Sequence, residues 1–551
     1  MNSRNFVIKN GKLIKCDADV LGDVIIPTCV TEIGTDAFIR HKGITSVTIS
    51  DSVTTIGINA FRDCENLVSI YISKSVNKIK ERAFLNCPKL QYITVAPDNN
   101  TYDSRNNCNA IIETSSNTLI SGSNVTVIPD SVVAIGELAF WGFVGLHHIN
   151  IPSSVNSIGA KVFRGCYGIE KITVDANNKK YDSRENCNAI IDTVANKLIV
   201  GCKNTKIPIS VEHIGDFSFW GCSGLESINI HNNIKTIGAK AFRGCTNVTS
   251  LYMPESVILV EDGAFADMPK LTSIVVDKQN KVYDSREDCN AIIHTASNRL
   301  VSGCARGHIP SSVTEVGAWA YCGCLGLLYV AIPDSIVKVG EKAFRGCHNL
   351  IEVEIGKSVS SMEWRAFSNC DNLQSIKVHE ENSTFDSRAN CNAVIQTTND
   401  SLIIGCGTSK IPDTVKKIGE SAFWHCHTLT NITIPDSVVE IDDWAFCGCI
   451  SLSDLHIPTS VIRIGERAFR CCASLTEIAV PNFVKQIDRE TFFRCDKLSE
   501  LSIGYNVENI DNTAFAVCCS LKRVYAHSAV INDIKSIVPV DAEFVELEYI
   551  Q

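Results

Sequence analysis

No block of clustered lysine and arginine occurs in this 551-residue sequence, and its formal net charge is -10. Phosphate backbones are held by local concentrations of cationic side chains, so nucleic acid is excluded as the main partner. There is no run of about 18 apolar residues, which excludes a membrane-spanning helix. The opening stretch MNSRNFVIKNGKLIKCDADV has no long apolar run behind its charges. No secretory signal is read there, and the expected location is the cytoplasm, with the cell surface or the medium as the alternative. G-x-x-x-x-G-K-[ST], H-E-x-x-H, G-x-S-x-G and a G-x-G-x-x-G between strand and helix are all missing. The phosphate-loop, zinc-peptidase, serine-hydrolase and dinucleotide classes lose their usual supports. No catalytic residue and no cofactor is assigned, and a non-enzymatic chain is expected. Linkers rich in glycine, serine or proline are absent too, so no internal domain boundary is placed.

What is present is a repeat. Ile151 to Cys166 reads IPSSVNSIGAKVFRGC, Ile434 to Cys449 reads IPDSVVEIDDWAFCGC and Ile457 to Cys472 reads IPTSVIRIGERAFRCC. The shared pattern is I-P-x-S-V-x-x-I-G-x-x-A-F-x-x-C, followed by L-x-x-I-x-I. The aromatic of the A-F pair marks the register from Phe38 to Phe515, with Tyr321 replacing Phe once, and counts 16 coils. Neighbouring markers stand 23 residues apart except at four places, where the step is 56, or 23 plus an insert of 33. Self-similarity at such a period defines an array of stacked units whose length measures coil number.

Within a unit, the spacing of Leu225, Ile228 and Ile230 predicts a short strand with these side chains inward and Ser227 and Asn229 outward. Proline ends it by removing a backbone donor. The S-V-x-x-I-G segment predicts a second, weaker strand. The x-x-A-F-x-x-C segment suits one tight helical turn that plugs the core. Asn10-Gly11, between Phe6-Val7-Ile8 and Leu13-Ile14, predicts a hairpin over residues 1-30 that lids the first coil. The array is placed at 31-525 and a closing cap at 526-551. The four inserts, near 97-128, 176-207, 278-309 and 380-411, share a Y/F-D-S-R opening and two β-branched runs such as Ala189 to Thr193 and Lys197 to Val200. Each predicts a β-hairpin. Trp141, Trp220 and Trp424, which follow the marker Phe of coils after an insert, are expected to pack under it, where other coils carry Arg164, Arg243, Arg345 or Arg470.

The I-P-x-S-V-x-x-I-G-x-x-A-F motif closely resembles the BspA-like leucine-rich repeat family, a 23-residue subtype, over about residues 25 to 525. The resemblance implies a leucine-rich-repeat solenoid of right-handed, β-rich coils with a stacked parallel sheet. It also implies a binding role, since relatives in anaerobic bacteria and mucosal protozoa include surface antigens that adhere to matrix or plasma proteins. Those relatives usually carry export signals. Proline stands here where the common leucine-rich signature has Asn or Cys, so the usual Asn ladder is not expected.

Of 26 cysteines, 13 fall three residues past the marker aromatic, and Phe143, Met268 or His41 stand there otherwise. Exchange mostly with apolar residues marks a buried small hydrophobe. Cys187 with Cys202, Cys289 with Cys304 and Cys391 with Cys406 repeat one spacing, but the partner position of Cys108 is Ser123, so no bridge is required. His425, Cys426, His427, Cys447, Cys449, Cys471 and Cys472 share one corner and are the one metal-site alternative; parallel ladder side chains do not converge as zinc requires, and no metal is assigned. In Asp103 to Arg105, Asp182 to Arg184, Asp284 to Arg286 and Asp386 to Arg388, recurrence points to a turn in which Asp accepts backbone N–H bonds. A binding face is expected at the outward strand positions, which vary while the inward ones do not: Tyr71, Tyr92, His148, Tyr252 and Tyr329, then the more acidic Glu352, Glu354, Asp454, His456, Glu477 and Glu500. The expected function is a protein-binding scaffold acting as a monomer, its partner unidentified; the alternatives are a surface adhesin and a metal or thiol protein.

Overall fold

Apolar side chains at alternate positions need one dry face, and a strict repeat supplies it by stacking each segment on its own copy. The computed structural model describes residues 5–535, 538 and 542–546. In it Ser69–Ile72 pairs in parallel with Tyr92–Val95, in the register Ser69↔Tyr92, Ile70↔Ile93, Tyr71↔Thr94 and Ile72↔Val95. Each partner lies 23 residues on, so every column of the stack holds equivalent residues. Ile70, Ile72, Ile93 and Val95 are buried beneath it. The second strand is only a residue pair per coil, as in Thr55–Ile56 against Lys78–Ile79. The chain divides into two units, Met1–Met268 and Pro269–Gln551, and the same coil builds both: Glu352–Ile355 pairs with Ser375–Val378 in the second as Ser69–Ile72 does in the first. Leu225 and Ile230 are buried and Ser227 and Asn229 exposed as expected, but Ile228 is only half-buried and 225–230 forms no strand.

The marker aromatic sits in consecutive turns, not a helix. Ile39 N–H donates to its own turn at Asp36 O (3.1 Å), while Phe38 and Arg40 donate to Ala60 O (2.7 Å) and Arg62 O (2.8 Å) of the next coil. A helix would send all three backward along its own chain. Alternating the two requires left-handed residues on both sides of the ring, Asp36 at φ 58° and Arg40 at φ 57°. Among the described residues the one α-helix is Ser528–Lys535, and none is long and apolar enough to cross a membrane.

The rings form stacks. Phe38, Phe61 and Phe84 lie 4.7 and 5.5 Å apart between centroids, and Phe423 through Phe515 continue at 5.0 to 5.4 Å. Such pairs add about 0.5–1.5 kcal/mol each beyond their buried area. Phe6, from the hairpin Phe6–Lys9/Lys12–Cys16, meets Phe38 edge-on at 6.4 Å.

Among the described residues no stacked pair joins Phe84 to Phe140, Phe163 to Phe219 or Phe367 to Phe423, the marker rings on either side of the first, second and fourth inserts. In the second, Tyr181–Asp182, Ala189–Asp192 and Lys197–Gly201 run antiparallel, and Lys197–Gly201 then joins the short-strand sheet beside His213–Ile214. The hairpin therefore takes a coil's place on that side without supplying an A-F turn. A Cβ on Gly122, Gly201, Gly303 or Gly405 would lie 2.1 or 2.2 Å from the next marker ring, Phe140, Phe219, Tyr321 or Phe423. Glycine at these positions is the socket into which the following ring fits.

Candidate functional site

In the first unit Tyr71, Tyr92 and Tyr252 stand outward on paired strands, 39, 53 and 48% exposed. His148 stands beside them in sequence order on His148–Ile151, its Nε2 within 3.3 Å of Thr173 Oγ1. In the second unit Tyr329 is 48% exposed and its hydroxyl donates to Glu354 on the next coil. Glu352 accepts from Ser375 Oγ at 3.3 Å, and Lys377 pairs with both Glu352 and Glu354. The Lys377 hydrogen bond holds the Glu352 carboxyl below its ordinary range. Asp454 bridges Asn431, and neither Asp454 nor His456 lies in a strand.

The acidic character anticipated for the later coils is partly cancelled, because Lys377 and Arg523 supply partners to Glu352, Glu354 and Glu500. Leu328 and Ile351, both exposed, adjoin Tyr329 through the bond from Ile351 N–H to Leu328 O (2.9 Å). They were detectable in the sequence: they replace polar residues such as Thr45 and Gln91 of other coils.

The cysteine column does more than fill space. Cys64, Cys87, Cys166, Cys347, Cys449, Cys472 and Cys518 each donate S–H to the carbonyl of the preceding marker aromatic, at 2.8 to 3.3 Å. Burial pushes the Cys166 and Cys245 thiols up to about 12, so they remain protonated donors. In the corner considered for metal, Cys449 and Cys472 are engaged this way, while His425 contacts His427 (3.2 Å) and His427 contacts Asp371 (3.2 Å). Among the described residues no three His, Cys, Asp or Glu are arranged to hold a metal ion.

The D-S-R turns are as read: Asp103, Asp182, Asp284 and Asp386 accept the N–H of the arginine two residues on, at 3.0 to 3.3 Å. A buried asparagine beside each was missed. Asn178 Nδ2 donates to Pro152 O and Val155 O (2.8 and 2.9 Å), and its Oδ1 accepts from Lys180 and Tyr181 N–H; Asn99 and Asn382 repeat this. The signal was an Asn three residues before every insert's Tyr or Phe. The tryptophans are a correction: Trp141 and Trp220 cover Arg164, and Trp424 covers Arg365. Asn86 N–H donates to Trp141 O (3.0 Å) across the first insert, so the turn corners of the flanking coils meet directly, and the Trp141 ring lies against Arg164 of the following coil.

Stacked 23-residue coils with a parallel strand face define a leucine-rich-repeat solenoid. The chain belongs to the BspA type leucine rich repeat region family, which matches in 6 copies over residues 16–126, 116–193, 185–289, 302–401 and 405–534. Similar solved structures include a leucine rich cell surface protein of Faecalibacterium prausnitzii, 19% identical, with 98% of this chain and 94% of that one covered and a TM-score of 0.36. A leucine-rich repeat protein of Bacteroides ovatus is 20% identical, covering 100 and 97%, with a TM-score of 0.25. The pneumococcal vaccine antigen PcpA is 14% identical, covering 100 and 98%, with a TM-score of 0.25. Comparison with curated proteins yields no match.

Proposed function

We propose that the chain is a non-enzymatic protein-binding scaffold that uses its outward strand positions, with residues 1-30 and 526-551 closing the array; of these caps, 1–4, 536–537, 539–541 and 547–551 lie outside the described residues. The observation that carries this is the contrast between columns. Inward positions stay apolar from coil to coil, mostly Ile, Val and Leu, while outward positions change and include exposed Tyr71, Tyr92, Tyr252 and Tyr329. Tyrosine offers large contact area at low entropic cost and is enriched at the energetic centre of interfaces. Capture of a defined protein by the full chain, lost in Tyr252→Ala or in Tyr329→Ala, supports the reading and says which unit holds the partner. Capture unchanged by both overturns this choice of face. Fractionation of native cells separates a cytoplasmic scaffold from a surface-displayed adhesin, a place held by the similar Faecalibacterium protein.

A further inference from the structure

Arg164 is a cation that the repeat leaves without its acid. Its guanidinium lies between the indoles of Trp141 and Trp220, 3.7 and 3.6 Å from the ring centroids. Both faces are covered, and the N–H donors of a planar guanidinium remain at its edge. Two coils along the same column, Arg243 also lies against Trp220, at 4.9 Å, but its Nε donates to Asp267 at 2.5 Å. Asp267 stands two residues past the marker Phe265; the equivalent residue past Phe219, on the coil that follows Arg164, is Gly221. Among the described residues Arg164 has neither an ion pair nor a side-chain hydrogen bond. Burial lowers it to about 10, with Arg243 adding to the effect.

The second insert creates the space beside it. Its hairpin joins the short-strand sheet through Lys197–Gly201 but supplies no aromatic turn, and a cavity of about 290 Å³ lies between the turn corners of the Phe163 and Phe219 coils. That is close to the lower end of small-molecule pockets, roughly 300–1,000 Å³. Arg164, Lys161, Lys197 and Lys203 line it, and Asp216 is its one carboxylate. Lys161 and Lys203 have carboxylate neighbours in Glu137 (3.8 Å) and Glu170 (2.8 Å), whereas Lys197 has no ion pair among the described residues. Ser218, also in the lining, is only 4% exposed, and its hydroxyl has no hydrogen-bond partner. The larger cavity at the fourth insert, about 470 Å³, is different: Arg365 donates to Ser421 Oγ (3.2 Å), and Glu363, Glu420 and Asp442 contribute negative charge.

We propose that the cavity beside Arg164 binds a small oxyanion, a carboxylate or a phosphate, on the guanidinium edge, with Lys197 supplying charge and Ser218 a neutral donor. The test titrates the full chain with succinate and, separately, inorganic phosphate at fixed ionic strength, read by calorimetry and tryptophan emission, with sodium chloride as the reference. Saturable binding of at least one anion is expected, weakened about tenfold or more by Arg164→Lys and several-fold by Lys197→Gln and Ser218→Ala, and unchanged by Arg365→Lys. Saturation by succinate alone assigns a carboxylate; by phosphate alone, a phosphate. If Arg164→Lys fails to fold, the other two cavity variants decide. No saturable response to either anion, or equal affinity in every folded cavity variant, overturns the proposal.

Discussion

Gly201→Ala tests the socket between insert and coil. Gly201 ends the strand Lys197–Gly201 and has no left-handed backbone, so alanine there would ordinarily stabilise by about 0.4–1 kcal/mol through the unfolded chain. Its Cβ, however, would lie 2.1 Å from Cε1 and 2.4 Å from Cζ of Phe219. Carbon atoms settle at about 3.5–4.0 Å, so the ring must retreat by more than an ångström. It has no free direction, being buried and stacked on Phe242 at 4.9 Å. Overpacking of this kind costs about 1–3 kcal/mol, and the net expectation is a loss of about 1–2 kcal/mol. Equilibrium urea unfolding measures it, with Phe219→Leu as the second arm of a double-mutant cycle. Shortening the ring should relieve the clash, so the costs of the two changes should fall short of additivity by about 1 kcal/mol. A neutral or stabilising Gly201→Ala, or strict additivity with Phe219→Leu, would refute the reasoning.

Asn178→Asp turns two donors aimed at Pro152 O and Val155 O into acceptors; thermal unfolding should show a loss of about 2–4 kcal/mol at pH 7, smaller near pH 4, where a proton restores one donor. Thiol titration of the native chain at pH 8 should label the exposed Cys29 and Cys519 first and leave Cys166 and Cys245, raised to about 12, unreactive until denaturant is added. Burial above all, then the neighbouring His427, Arg345 and Arg365, against the opposing Asp371, lower His425 to about 4. The unfolded chain therefore takes up that proton first, near pH 6.5. The stability tied to neutral His425 is complete above pH 6.5 and is lost as pH falls toward 4; the melting temperature should follow this, and His425→Gln should flatten that limb.

The coil was legible because its register repeats every 23 residues: a position apolar in every copy has no other place than the inside. What depends on the neighbouring coil was not legible. The A-F-x-x-C spacing looks helical when taken alone, but half its N–H groups leave for the next coil. Cys64 and its equivalents betray their size by exchanging with Phe143 and Met268, whereas the S–H bond to a carbonyl 26 residues earlier leaves no trace in composition. Tyr71 and Tyr329 were placed correctly on strands because alternation governs them. His456 and the Leu225 to Ile230 segment keep the alternation without the strand, since pairing belongs to two chains of atoms and the pattern to one. The tryptophans were misassigned for the same reason: Arg164 lies 56 residues before Trp220 in sequence and 3.6 Å from its ring.

That the repeat unit itself is the quantum of stability is tested most directly by comparing two variants of the full chain by urea unfolding: one lacking the 23 residues 333–355, which restores the column by moving one copy onto the next, and one carrying Phe344→Asp. Nearest-neighbour stacking predicts a cooperatively folded deletion variant with nearly native signal. It predicts a broken second unit for the aspartate, whose charge would sit between the Tyr321 and Phe367 rings. An unfolded deletion variant beside a stable Phe344→Asp would contradict it.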